Sequence, residues 1–351
     1  SRRFHKLATQ FPLTRLIARK RQSELFDLVA GFVYSQILLT CVELDVLTKV
    51  GQGTSIEALA PKIGLPVDET RRLVEGAAAL RLLQRRGALY RLGDLGAVLI
   101  ANPGINAMIR HHPALYLDLA DMPAFLRKGR GESNLSNYWS YARNPDPAKS
   151  GDAKIAAYSE LMSESQTMVA DEVLASVKFS QHKVLLDVGG GQGAFLSAVA
   201  GHAPHLQLKL FDLPAVADRA AARFQDEGLA DRVETIGGSF FEDKLPTGAD
   251  MISLVRIIHD HDDDPAQAIL NSVYEALERD GELIVCEPMS TGGYAQRMSD
   301  AYFNFYLHAM GSGRPRPPSM LKAMLEKAGF QDVRLLKTRS PLITSVISAR
   351  K

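Results

Sequence analysis

Cysteine is nearly absent: Cys41 and Cys286 are the only two in 351 residues. They stand too far apart for a redox motif, and each lies within an apolar run. Both are expected to be buried, inert thiols, and a disulfide framework is excluded. An excess of one charge is also missing. The 41 Lys and Arg against 40 Asp and Glu leave a net charge of +1, which removes any overall electrostatic case for nucleic acid. There is one tryptophan, Trp139, and no internal repeat or low-complexity tract. No apolar stretch approaches the ~20 residues needed to cross a bilayer, and no signal peptide is evident. These absences predict a soluble, cytoplasmic protein. Its 46% apolar and 23% charged residues suit an ordinary globular chain of one large domain or two.

The densest signal is Val184-Leu185-Leu186-Asp187-Val188-Gly189-Gly190-Gly191-Gln192-Gly193-Ala194-Phe195. An apolar run, clustered glycines and a helix-like pattern predict strand, tight loop and helix. Glycine lets the backbone turn sharply and lets a ligand lie against it, while the N–H groups of the next helix point at what is bound. Gly189-x-Gly191-x-x-Ala194 also fits a dinucleotide fingerprint. An NAD enzyme and an enzyme of another adenosine cofactor therefore compete.

Two domains are expected, 1–150 and 151–351. Residues 1–21 carry seven basic side chains and no acid before Glu24. The arm is a solvated helix face or a basic surface held against anionic lipid. From Leu25 to Val50 the pattern is helical and apolar on most of its surface, so this helix is expected to be buried, against another subunit. Residues 54–92 predict a winged-helix-like unit. In it, Thr54 caps one helix with Glu57, Asp68 caps a second helix running to Leu83, and a hairpin closes at Arg85–Leu92. Glu69 and Glu75 offset Arg71, Arg72 and Arg81, which favours packing over DNA binding. Breaks follow at 129–131 and 141–147, then a long helix at 153–177. Strands at 183–188, 207–211, 232–236, 250–255 and 282–287 alternate with helices, which predicts a parallel α/β sheet. A helix at 318–328 and a closing hairpin of Val333–Lys337 and Leu342–Ala349 bring the sheet to seven strands, mostly parallel.

Asp212 ends the second strand 19 residues after Gly193, the distance at which an acid meets a ribose diol. Asp187 decides the cofactor. A carboxylate beside the loop repels a pyrophosphate but suits the cationic amino-acid end of S-adenosylmethionine. The chain also lacks a second βαβαβ half after residue 290. Ser239 and Phe240, after Gly237-Gly238, are placed to meet the adenine. His259 follows the fourth strand and is the candidate general base, since imidazole accepts a proton near neutral pH. Glu287, ending the fifth strand, is expected to orient that ring and stabilise its charged form. Asp260, Asp262 and Asp264 fail as a calcium loop, with Pro265 where glycine is needed and Asn271 where a bidentate Glu belongs. They are expected to start and cap the next helix. His111-His112 and His259/His261 lack further zinc ligands, and no metal is expected.

With Leu186–Gly193, Phe211-Asp212-Leu213-Pro214 and Ile258-His259-Asp260 in hand, the chain resembles the small-molecule O-methyltransferases that include the caffeic acid and acetylserotonin enzymes. Phe11–Arg15 with Phe32–Gln36, and Asp300–Met310 with Gly313–Arg316, resemble the bacterial carotenoid members acting on hydroxyneurosporene and demethylspheroidene. The resemblance implies a class I, Rossmann-like S-adenosylmethionine methyltransferase domain behind an α-helical dimerisation domain, with interlocked N-terminal domains in a homodimer. It implies S-adenosylhomocysteine as product and His259 as base. It assigns Gly189, Asp212, Leu213, Ser239, Phe240 and Arg256 to the cofactor, beside Asp187 and Gly191 of the loop. Asp260, Tyr306 and Met310 are expected to line an apolar acceptor. The arm would then hold the enzyme at the inner or photosynthetic membrane where such a substrate dissolves. Three departures stand out, one being Ser239 where many members have Asp. His261 replaces a tryptophan that many members carry, and the second glutamate flanking the base in plant members is absent around Pro315-Arg316-Pro317. Three alternatives are open: a soluble phenol or polyketide as acceptor, an NAD enzyme, and a methyltransferase-like DNA-binding regulator.

Overall fold

The computed structural model describes residues 12–137, 166–341 and 343–351. The arm before residue 12, Trp139, the break at 141–147 and the expected helix from 153 to 165 lie outside the described residues, as does Leu342. The chain forms two compact units, Ser1–Arg110 and His111–Lys351. The division falls ahead of the boundary expected at 150. The physical reason is that Leu115 and Leu135 pack with Leu307, Ala309 and Met310, so this segment takes its apolar partners from the later half of the chain.

In the first unit a single helix runs Pro12–Glu43, followed by a short turn Val46–Lys49. The helices Ile56–Ile63 and Val67–Ala79 and the hairpin β1 (Leu83–Arg86) and β2 (Leu89–Leu92) make the expected winged-helix arrangement. Its details differ from the sequence reading. Ser55, not Thr54, caps the first helix, accepting the Ala58 N–H at 3.2 Å. Thr54 instead makes an isolated antiparallel bridge to Tyr90. Pro66 precedes the second helix, and Asp68 lies inside its first turn, where its charge suits the helix dipole. That helix stops at Ala79 because Arg81 adopts φ +62 and turns the chain into β1.

The helix Pro12–Glu43 begins ahead of the expected Leu25 and ends ahead of Val50. Within one chain its apolar surface is not buried: Phe26 is 63% and Phe32 72% exposed, with Leu25, Leu28 and Val29 beside them. No charged side chain falls between Asp27 and Glu43. Over Leu16–Glu43 this helix is long and apolar enough to cross a membrane by length and composition; Ser, Gln and Thr punctuate it, so it does not read as an uninterrupted apolar run.

The second unit is a sheet of β3 (Val184–Val188), β4 (Gln207–Asp212), β5 (Val233–Gly237), β6 (Ala249–Val255), β7 (Leu277–Glu287), β8 (Gln331–Leu336) and β9 (Ser345–Arg350). The spatial order is β5-β4-β3-β6-β7-β9-β8. Pairings from β5 through β7 are parallel, and β9 runs antiparallel to both its neighbours. The last strand is thus inserted within the sheet, with β8 outside it. Alternation along the strands sends successive side chains to opposite faces. Leu185, Leu208, Leu210, Met251 and Ile284 pack under the helices at 166–176, Ala194–His202 and Pro214–Asp226. Leu186, Val188, Ile252, Leu254 and Val285 pack under Asp263–Ala276 and Pro318–Ala328. Both faces are covered, which explains why the strands read as continuous apolar runs. The strand order reverses between β3 and β6, and the crevice beyond their carboxyl ends is where open α/β sheets take ligands.

Candidate active site

The glycine loop leaves β3 into that crevice. Gly189 N–H donates to the Phe211 carbonyl at 2.8 Å, tying the loop to β4. At Gly193, with φ +81, a Cβ would stand 2.2 Å from Phe224 Cζ, so only glycine lets the loop pack on the helix Pro214–Asp226. Gly191 faces open space, and its N–H donates to Asp212 Oδ2 at 2.8 Å. Asp212 Oδ1 takes the Leu213 N–H at 2.7 Å. A carboxylate offers about four acceptor positions, so Asp212 braces the loop and keeps capacity for a ribose diol. Open space at Gly191 and spare acceptors at Asp212 fit an adenosine cofactor.

Asp187 stands elsewhere than expected. Its side chain lies beneath the loop, where a Cβ on Gly190 would be 2.8 Å from Oδ2. Ser253 Oγ donates to Oδ1 at 2.6 Å, while Oδ2 is buried without a partner. Burial, with a smaller push from Asp212, moves its carboxyl up to about 7 against the pull of Ser253. Asp187 therefore supports the loop from below.

Beyond β5, Gly238 N–H donates to the Asp212 carbonyl at 2.9 Å, which draws this strand end toward the loop. Ser239 is engaged locally: its N–H donates to Asp243 Oδ2 and its hydroxyl accepts from Phe241 N–H. The Phe240 ring reaches Gly189, 3.8 Å from where a Cβ would sit, and meets Phe241 and His261 edge-on at 4.7 and 5.5 Å between centroids.

Beyond β6, Arg256 turns at φ +60 with its N–H on the Cys286 carbonyl at 2.8 Å. A short 3₁₀ turn, Ile258–Asp260, carries His259, which is 4% exposed. Its Nε2 lies 3.1 Å from Asp260 Oδ1, while Nδ1 is buried without a partner. Asp260 therefore pairs with the imidazole, where the sequence suggested only substrate lining. Glu287 is fully buried, and its Oε2 accepts the main-chain N–H of His259 at 3.0 Å. It holds the turn and acts on the ring through its charge, not by a hydrogen bond to the ring. Burial disfavours the imidazolium, but Asp260 and Glu287 outweigh it and hold His259 above the ordinary 6.5. Burial pushes Glu287 up, opposed by His259 and by the Arg316 cation.

Asp262 precedes the next helix, but its carboxylate does not cap it. It takes Arg130 and the Gly313 N–H instead. Tyr306 and His111 pair at 3.0 Å, Tyr302 and His112 at 2.9 Å, and Met310 is buried in the cluster with Leu115. Among the described residues, no group of three or more His, Cys, Asp or Glu side chains converges as a metal site. Sequence reasoning missed that Ser312–Arg316 covers the His259 turn; a glycine followed by two arginines flanking Pro315 gave no local signal of it.

Asp187 binds its proton more tightly in the fold, at about 7, than in the unfolded chain, at 3.8. Between those values the native state holds more protons, so raising the pH through this window weakens folding. The cofactor-free protein is expected to lose on the order of a few kcal/mol from this group. Urea unfolding at about pH 5 and about pH 8 should show a smaller pH dependence in Asp187→Asn.

Family models match the chain as an O-methyltransferase domain over residues 105–331 and an O-methyltransferase dimerisation domain over 26–102. The demethylspheroidene O-methyltransferase of Cereibacter sphaeroides is 44% identical, over 99% of this chain and 92% of that protein. That of Rhodobacter capsulatus is also 44% identical, over 100% of this chain and 88% of that protein. Human N-acetylserotonin methyltransferase, solved in complex with SAM, shares the fold with a TM-score of 0.76 at 24% identity, over 94% of this chain and 97% of that one. The chain belongs to the O-methyltransferase family, with that family's dimerisation domain ahead of its methyltransferase domain.

Proposed function

We propose that the chain transfers a methyl group from S-adenosylmethionine to the tertiary hydroxyl of a hydroxylated carotenoid, with His259 as general base. One observation carries the chemistry. A buried imidazole paired to a carboxylate stands just past β6, at the end of the sheet where the glycine loop leaves β3. When bound, the cofactor supplies an electrophilic methyl on a sulfonium. What remains for the chain is to orient the acceptor oxygen and take its proton. Asp260 Oδ1, 3.1 Å from His259 Nε2, holds the hydrogen on that nitrogen, so the acceptor's proton is taken at Nδ1, and Glu287 adds a second negative charge nearby. A tertiary alcohol is a weak acid, so its proton leaves in step with methyl transfer and water must be kept out. The depth of His259 suits that need. Gly189, Gly191, Asp212, Leu213, Ser239, Phe240 and Arg256 are assigned to the cofactor, and Asp187 supports them from beneath.

The carotenoid acceptor is supported by the two demethylspheroidene O-methyltransferases, which span almost the whole chain. Tyr306 is assigned to the wall of the acceptor site. His111 occupies its hydroxyl, so the half-buried ring offers a polyene an apolar face. Methyl transfer in detergent should fall about 10²–10⁴-fold in His259→Ala. Wild-type turnover in that variant would remove His259 as base. The acidic limb of the wild-type rate should lie above 6.5, the ordinary histidine value. In a substrate panel, carotenoid tertiary alcohols should outrun phenols; the reverse order would transfer the assignment to a soluble aromatic.

The same reading makes the chain a homodimer. The dimerisation match begins at residue 26, and the helix Pro12–Glu43 leaves Phe26, Leu28, Val29 and Phe32 exposed in one chain. Burying each such side chain is worth about 1.5–3 kcal/mol. Phe32→Asp should shift sedimentation toward the monomer, whereas an unchanged dimer would place the interface elsewhere. Arg15, Arg19, Lys20 and Arg21, ahead of that surface, are assigned to peripheral contact with anionic lipid. Flotation should bring the protein up with phosphatidylglycerol vesicles and not with phosphatidylcholine ones; equal recovery from both would count against this contact.

A further inference from the structure

The turn carrying His259 is gripped carbonyl by carbonyl. Arg316 Nη1 donates to Ile258 O at 2.8 Å, and Arg314 N–H to His259 O at 2.9 Å. Ser312 Oγ donates to Asp260 O at 2.7 Å, and Arg316 Nη2 to His261 O at 2.7 Å. Four consecutive carbonyls thus find donors on one strap, Ser312–Arg316. Gly313 lies closest, at φ +80, where a Cβ would be 2.1 Å from His259 O. Nothing larger than glycine lets the strap approach.

Arg316 is the centre of the grip. It is 0% exposed, and its guanidinium spans two carbonyls on either side of His259 while pairing with Asp263 Oδ1 at 2.8 Å. A set of main-chain acceptors converging on one point calls for donors alone, and guanidinium has five in a rigid fork with no acceptor. A buried cation is costly unless carboxylates face it. Asp263 supplies one, and Glu287, on the other side of the turn, feels the same charge.

We propose that Arg316 is a positioning residue for methyl transfer, fixing the peptide planes around His259 so that the imidazole is held toward the acceptor. It occupies the part of the chain where plant relatives were expected to place a second glutamate, and it does the holding by donating to the backbone instead of accepting from the ring. A second consequence concerns charge: the guanidinium favours the ionised form of Glu287, which in turn favours the imidazolium formed during transfer. This inference rests on His259 being the base.

The test compares Arg316→Lys, Arg316→Met and His259→Ala in the full-length protein. Turnover of a hydroxylated carotenoid is followed against pH, with S-adenosylmethionine affinity read by calorimetry. Arg316→Lys keeps the charge and loses the fork. Its kcat should fall about tenfold or more, with cofactor affinity within about twofold and the acidic limb in place. Arg316→Met loses both, so kcat should fall further and the acidic limb should move to lower pH, because Glu287 keeps its proton longer and supports the imidazolium less. Near wild-type kcat in both variants would overturn the proposal. So would a fall in cofactor affinity proportional to the fall in kcat, or an unmoved limb in Arg316→Met. If the Met variant fails to fold, the Lys variant decides, through the split between kcat and cofactor affinity. An inactive His259→Ala beside normal Arg316 variants would sink this inference alone. A fully active His259→Ala would remove the base assignment on which it rests.

Discussion

A carboxylate at the end of a strand with apolar neighbours must find donors or give up its charge. Glu287 is in that position, closing β7 after Ile284, Val285 and Cys286, all fully buried. Its solution is the main-chain N–H of His259. One hydrogen bond therefore bolts the turn after β6 to the neighbouring strand, and the donors of Ser312–Arg316 close over it from the other side. The imidazole itself is spared from this duty. Its Nε2 is left to a carboxylate that is partly open to solvent, Asp260. The backbone bears the load, and the ring keeps its chemistry.

A similar division holds at the glycine loop. Asp212 spends one lone pair on Gly191 and one on Leu213, which shapes the loop before any ligand arrives and leaves acceptors facing the crevice. Asp187, a strand residue below, has a buried oxygen with no partner. An uncompensated oxygen of this kind weakens the fold where ligands bind, a pattern expected of functional sites. The loop is rigid by hydrogen bonding and stressed by desolvation at the same place.

Much of this was legible in the chain. The strands were, because burial on both faces makes them continuous apolar runs, and so was the helix ended by Gly329. The glycine loop and Asp212 declared themselves by spacing. Other features have no local signature. Arg316 acts on residues more than fifty positions earlier, and nothing in Gly313–Arg316 says which carbonyls it faces. Whether the imidazole would turn to Asp260 or Glu287 depends on ring orientation, which residue type does not encode. Ser55 displaced Thr54 as cap because Thr54 was taken by Tyr90 across the wing. The apolar pattern of the helix Pro12–Glu43 was read as a surface that another subunit covers, and one chain alone leaves it exposed.

The insertion of β9 between β7 and β8 has a bearing on how the protein is made. During synthesis β3 to β7 emerge first and can pair in parallel as each helix follows. Until residues 345–350 leave the ribosome, however, β7 has a bare edge along Leu283–Glu287, the strand end that anchors the His259 turn. A long apolar edge is an invitation to pair with another chain. A nascent chain stalled before residue 345 is thus a candidate for aggregation, and the His259 turn acquires its final footing only when the last strand slides home.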